Sequence, residues 1–229
     1  MRGELIADSS CKGLWHLNGS SADSSGNGKN GTDAHITYSG ASGKFGIGVS
    51  ANADGSEIAI PANTLGTIGT GDFAVVFWFN PQAPVAAHRP MLFGSFDLTP
   101  SKFYGPTIFY DPLNVLAGGN AIVFRLRGDN QQFVTTPSAS SMYGKWWNIV
   151  FTRISGQCYV YYNASLVKTF ADNTNIPAAD DAYIFTGNGA AQSQPTGAKG
   201  DEFAVYNVGW SPQRVKQYYN NQKGIYIHN

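Results

Sequence analysis

The chain has 229 residues, with 15 Lys and Arg against 15 Asp and Glu, so its formal net charge is zero. That balance excludes the basic footprint a nucleic-acid partner demands, and the longest apolar run, Phe73–Phe79, is far too short to cross a bilayer. Charged residues are only 13 % while aromatics reach 14 % and glycines number 27, a composition that favours short strands and long turns over helices.

The chain opens with Met1-Arg2-Gly3-Glu4 and contains no charged-then-apolar signal segment. Either a signal is removed before this numbering or the protein reaches its location without one, as virion components do. Cys11 and Cys158 are too few and too far apart for a disulfide framework and read as free thiols. No internal repeat or linker-like stretch breaks the chain, which reads as one domain, 1–229.

Gly13–Leu17 is the first candidate strand. The loop Asp23–Thr32 (D-S-S-G-N-G-K-N-G-T) follows, placing oxygens from Asp23, Ser25, Asn27 and Asn30 at close intervals among three glycines. Hard cations such as Ca²⁺ collect six to eight oxygen ligands, so a calcium site is one reading of this loop. The other is a turn tied by its own side chain–backbone bonds. Further strands are expected at Glu57–Ile60, Phe73–Asn80 and Pro90–Phe96, rich in β-branched and aromatic residues. Phe73–Phe79 is apolar at every position, as a strand covered on both faces must be.

Lys102–Asn114 (K-F-Y-G-P-T-I-F-Y-D-P-L-N) reads as a loop, because Gly105, Pro106 and Pro112 keep it out of a regular ladder. Tyr104, Tyr110 and Asp111 are the candidate carbohydrate contacts: rings to pack on sugar C–H faces and a carboxylate to accept from hydroxyls. Phe103 and Phe109 anchor the loop, and Tyr143 and Asn188 are secondary candidates elsewhere. Strands at Ala121–Leu126, Gln132–Thr135, Trp146–Ile154, Gln157–Tyr162, Ser165–Phe170, Ala182–Thr186 and Glu202–Val208 complete an all-β, antiparallel two-sheet pattern. Ser211-Pro212 supplies an N-cap and a first-turn proline for one short helix ending near Gln222.

Several segments together carry a family resemblance: G-L-W-H-L-N-G at Gly13–Gly19, the Asp23–Thr32 loop, G-K-F-G-I-G-V at Gly43–Val49, F-A-V-V-F-W-F-N-P at Phe73–Pro81 and G-K-W-W-N-I-V-F-T-R at Gly144–Arg153. Y-V-Y-Y-N-A-S-L-V at Tyr159–Val167, G-D-E-F-A-V-Y-N at Gly200–Asn207 and W-S-P-Q-R-V-K-Q-Y at Trp210–Tyr218 complete the series. In this order they resemble the laminin G-like family of the concanavalin A-like lectin/glucanase superfamily, over nearly the whole chain. The resemblance implies a jelly-roll sandwich with one C-terminal helix. It matches the family's strand tryptophan to Trp146, leaving Trp147 as extra packing on the back of the sheet. It also puts Asn163-Ala164 where the family has Asn-Gly, and offers Asp201 of the G-D-E motif as the second carboxylate of a calcium site with Asp23, Asn27 and Asn30.

Catalysis is the rival reading, since glucanases share the fold. A retaining glycosidase needs two carboxyls about 5–5.5 Å apart, which superfamily hydrolases supply as E-x-D-x-x-E. The three glutamates here, Glu4, Glu57 and Glu202, show no such pattern, and the four histidines have no partners at nucleophile or metal spacing. Asp201 and Glu202, as strand neighbours, are expected on opposite faces. The reading is therefore a non-catalytic carbohydrate-binding module for a glycan or glycosylated surface. Its expected setting is a virion surface or the extracellular space, as a phage-type or appendage adhesin or decoration protein. The alternative is a structural capsid or tail subunit that uses the sandwich for protein–protein contact.

Overall fold

The computed structural model describes residues 5, 7–51, 53, 55–83, 90–99, 102–114, 119–179, 181–186 and 197–222. In chain order its strands are β1 (Cys11–Trp15), β2 (Thr32–Ala34), β3 (Ile36–Ser39), β4 (Gly48–Ala51), β5 (Glu57–Ile60), β6 (Phe73–Asn80), β7 (Met91–Thr99) and β8 (Lys102–Asp111). There follow β9 (Ala121–Arg127), β10 (Gln132–Val134), β11 (Trp147–Ile154), β12 (Gln157–Tyr162), β13 (Ser165–Ala171), β14 (Asp181–Thr186), β15 (Lys199–Tyr206) and helix α1 (Pro212–Gln222).

These strands make two antiparallel sheets. The first is eight-stranded, in the order β13-β12-β11-β6-β15-β4-β3 with β1 also paired to β15; the second is seven-stranded, in the order β10-β9-β8-β7-β14-β5-β2. The architecture is the jelly-roll sandwich expected, with one short C-terminal helix.

β6 explains the layering. All eight of its residues are buried. Because side chains alternate along a strand, Phe73, Val75, Phe77 and Phe79 enter the core between the sheets, with Phe93, Ile108, Tyr110, Phe124 and Ile184 from the second sheet. Ala74 and Val76 face the other way, into a cluster with Leu14, Tyr206, Trp210 and Val215 beneath α1. The first sheet is thus covered on both faces, each covered side chain gaining about 25 cal/mol per Å² of apolar surface removed from water.

Trp15 and Trp78 are buried, but the resemblance assigns the Trp146–Trp147 pair the wrong way round. Trp147 packs against the core and sets its ring edge-on to Tyr162, with centroids 6.3 Å apart. Trp146 is half-buried and precedes the strand. Trp147 shares a face with Ile149 and Phe151, so register decides which of the two is the core residue.

Two further features bear on stability. Arg153, fully buried, donates from its guanidinium to the carbonyls of Gly71, Thr174 and Gly69 at 2.8–2.9 Å, so backbone dipoles meet the charge directly while Asp172 and Asp72 favour it from further off. β13, at the edge of the first sheet, carries Lys168 mid-strand and sits beside a register shift between Val160 and Tyr161. Both cysteines are free and buried, and burial pushes their thiols up to about 11 for Cys11 and about 12 for Cys158, well away from reactive thiolate chemistry.

The β12–β13 hairpin turns on Asn163 and Ala164, with φ of 49° and 63°, the left-handed pair of a type I′ turn. Alanine is strained there by about 1–2 kcal/mol, where glycine is not. Ala164→Gly is expected to raise stability by about 1 kcal/mol once the added freedom of the unfolded chain is subtracted, measured as a higher urea midpoint at unchanged slope.

Candidate functional site

The oxygen-rich loop after β1 closes on itself. Asp23 Oδ1 accepts from the backbone N–H of Leu14 at 3.0 Å and of Ser25 at 2.8 Å; Oδ2 accepts from Ser25 Oγ at 2.8 Å and Lys29 N–H at 2.9 Å. Asn30 Oδ1 accepts from Asp23 N–H at 2.9 Å, and Asn27 donates its amide to the Cys11 carbonyl at 3.0 Å. Burial raises the Asp23 pKa, but the hydrogen bonds from Leu14, Lys29 and Ser25 outweigh it and hold the carboxyl below its usual value.

This is donor-rich surroundings for a carboxylate, the reverse of the acceptor-rich cage a hard cation needs. Asp201, expected as the second ligand, serves a different segment: its Oδ2 accepts from the backbone N–H groups of Lys44 and Phe45 at 2.7 and 3.0 Å. The residues Asp23, Asn27, Asn30 and Asp201 therefore do not fit the calcium site read from the sequence. Asp23 organises its loop through four hydrogen bonds instead.

Asp201 and Glu202 also depart from the expected alternation. β15 shifts register between Asp201 and Ala204, and Glu202 has φ of 55°, a β-bulge with its extra residue in a left-handed conformation. Gly200 and Phe203 keep the core side, where Phe203 stacks on Phe77. Glu202 is freed from the alternation, and its charge bears both on Asp201 and on Tyr218 of α1. Its carboxylate accepts from Leu5 N–H at 2.6 Å and contacts His16 Nδ1 at 2.8 Å. Both carboxyls are sealed from solvent.

The second sheet has an outer face of different character. β8 is a strand throughout Lys102–Asp111, not the loop expected. That corrects two of the proposed sugar contacts. Tyr110 points inward and is fully buried, edge-on to Phe79 at 5.4 Å, and Asp111 is fully buried as well. Tyr104 remains half-buried, opposite Arg127 of β9. The Phe103 side chain and Asn188 lie outside the described residues. Tyr143 sits edge-on to Tyr110, centroids 6.5 Å apart.

Register places Ala121, Val123, Arg125 and Arg127 of β9 on the outer face, with Thr107, Phe109 and Asp111 of β8 beside them. Phe109 forms a small apolar cluster with Met91, Ala121 and Val123, against which Phe133 of β10 and Tyr183 of β14 pack. The Arg125 guanidinium lies over the Phe109 ring at 4.5 Å, a cation–π contact strengthened by near-complete burial. Thr107, Asp111 and Arg125 are buried polar groups on the outside of a sheet. The sequence concealed Arg125, whose alternation with Phe124 and Leu126 reads only as a half-buried strand.

Residues 52–216 match a laminin G family of the concanavalin A-like lectin/glucanases superfamily. The chain belongs to that family. A comparison with curated protein sequences gave no match. Among solved structures, the chain is similar to domain 4 of AbnA, a GH43 extracellular arabinanase from Geobacillus stearothermophilus in complex with arabinotriose. The two are 19 % identical with a TM-score of 0.67, over 91 % of this chain and 98 % of that one. It is similar to the binding domain of Paraclostridial Mosquitocidal Protein 1 (15 % identity, TM-score 0.66, 89 % of this chain and 50 % of that one). It is also similar to Trypanosoma rangeli sialidase in complex with sialic acid (14 % identity, TM-score 0.69, 96 % and 34 %). This laminin G-like chain thus spans nearly all of the arabinanase domain, half of the toxin chain and about a third of the sialidase. At these identities the likeness is one of fold.

The Asp23 network gives a test. Because its pKa is depressed, its contribution is complete above the unfolded carboxylate value of about 3.9 and is lost as pH falls through the folded value. Asp23→Ala is expected to cost about 2–3 kcal/mol at neutral pH and to flatten the acid limb of the stability curve. A chelator should leave the wild-type melting temperature unmoved; a fall of several degrees would restore the calcium reading.

Proposed function

We propose that the protein is a carbohydrate-binding module whose contact surface is the outer face of the second sheet. The observation that carries this is the set of partly exposed rings of Tyr183, Phe133 and Tyr104 with the Arg127 guanidinium, seated on the Phe109 cluster of the sheet that α1 does not cover. Aromatic rings beside fixed polar groups are what sugar recognition asks for: flat surface for C–H faces and oriented donors and acceptors for hydroxyls. Tyr183, Phe133, Tyr104 and Arg127 are the residues of this face with exposure enough to touch a ligand.

Binding without catalysis is part of the proposal. Glycoside hydrolysis needs an acid and a second carboxyl flanking a substrate in an open site. Asp201 and Glu202 are close partners but lie under a helix, and Glu57 stands half-buried on β5. No helix among the described residues is long and apolar enough to cross a membrane. The proposal extends to display on an extracellular or virion surface, for which the low charge of the chain is the supporting feature.

A glycan array probed with the purified protein tests the function, and Arg127→Ala with Tyr183→Ala tests the face. Binding to the array's best ligand is expected to fall at least about tenfold in each variant, about 1.4 kcal/mol, while Lys216→Ala on α1 leaves it unchanged. Equal binding by all three would move the site elsewhere. Release of reducing ends from the bound glycan would overturn the non-catalytic reading.

A further inference from the structure

The turn that joins β9 to β10 lies at one end of the outer face and carries an ion pair of its own. Arg127 Nε and Asp129 Oδ1 are 2.6 Å apart, and both side chains stay open to solvent, at 42 % and 50 % exposure. Tyr104 of β8 lies directly opposite Arg127, and cross-strand neighbours on one face are within side-chain reach. A half-buried phenol ring therefore borders the pair. The turn itself is fixed. Asn130 N–H donates to the Arg127 carbonyl at 3.0 Å. The Asn130 amide donates to Asp172 Oδ2 at 2.7 Å, and its oxygen accepts from Gln132 Nε2 at 2.8 Å. Asp172 is buried and accepts from Thr174 N–H at 2.8 Å, which ties the turn to the segment after β13. An exposed ion pair adds little to stability. On a rigid turn beside an aromatic ring, it sets a donor fork and an acceptor at one spot.

We propose that the Arg127–Asp129 pair is the polar subsite of the glycan face, and that its ligand is an uncharged sugar with two free adjacent hydroxyls. The inference rests on the carbohydrate-binding reading above and names the ligand class for it. One hydroxyl donates to the Asp129 carboxylate, and the oxygen of its neighbour accepts from the Arg127 guanidinium. The guanidinium carries five N–H donors and the carboxylate several lone pairs, more than either spends on the other. Hydrogen bonds to charged groups are stronger than neutral ones, and Tyr104 offers flat surface to the C–H side of the same sugar ring. An acidic sugar fits this spot poorly. Its carboxylate meets Asp129 as a like charge, and Arg127 is already neutralised by that aspartate. Arg125, the other cation of the β9 row, is nearly buried with its guanidinium over the Phe109 ring at 4.5 Å.

The test is a glycan array read with the wild type and with Asp129→Ala. It carries glucose, galactose and mannose glycosides, their monodeoxy analogues, and glucuronic acid and sialic acid glycosides. Asp129 is exposed, so the variant is expected to keep the wild-type melting temperature. The wild type is expected to prefer an intact neutral glycoside, and Asp129→Ala to bind it at least about tenfold more weakly. A monodeoxy analogue lacking the hydroxyl that Asp129 meets is expected to bind both proteins alike, because the variant and the analogue remove the same contact. Equal weakening of Asp129→Ala on the intact and every deoxy glycoside marks a structural role and overturns the proposal. So does a preference for the acidic glycosides that sharpens in Asp129→Ala, where Arg127 is released from its partner. If Tyr183→Ala weakens binding and Asp129→Ala does not, this subsite is wrong and the glycan face stands. If no glycoside binds, both are wrong.

Discussion

β6 is apolar on both faces, and that one fact obliges the rest of the chain to build two layers over it. Its odd-numbered residues need the second sheet; its even-numbered residues need α1 and the N-terminal segment. The helix is therefore part of the packing, not an appendage. Val215 is buried and Trp210 is wedged between Tyr206 and Tyr218. Trp78 reaches across to Gln222 with a 2.7 Å hydrogen bond from its indole N–H, because an indole buried in this layer must still find an acceptor.

Much of this order is legible in the sequence, for a definite reason. Where the chain is dense in β-branched and aromatic residues, burial and β preference agree, so β5, β6, β12 and α1 fall where the residues predict. The pattern fails where backbone chemistry competes with it. β8 contains Gly105 and Pro106, which suggest a break, yet the register shift between Tyr104 and Thr107 absorbs the proline's missing donor and pairing resumes beyond it. β2, β3 and β4 are short and largely small or polar, so their pairing comes from tertiary contact and not from propensity. Asp201 and Glu202 fail in the same way as Trp146 and Trp147: a period-2 rule holds only until a bulge or a one-residue offset resets it.

The candidate site was less legible because acceptors and donors are indistinguishable in a string of letters. Asp23, Asn27 and Asn30 supply the oxygens a cation would want, but whether those oxygens point at an ion or at the loop's own N–H groups depends on how the chain closes. Here Trp15 donates from its indole to the Lys29 carbonyl at 2.8 Å, drawing the loop down on β1 so that backbone donors converge on the carboxylate. On the second sheet the sequence found aromatic and acidic residues but not their direction. Tyr110 and Phe109 are neighbours on one strand; the first belongs to the core and the second to the outer face.

The edge strand β13 has a consequence for how copies of the protein behave together. An open, flat edge is a template on which another chain can add its own strand. Here the shifted register twists that edge, and Lys168 sets a hydrated charge in the row where an added strand would have to lie. Crowded molecules are then disfavoured from zipping into a continuous sheet, so the protein can be presented at high local density while remaining discrete and reversible in its contacts.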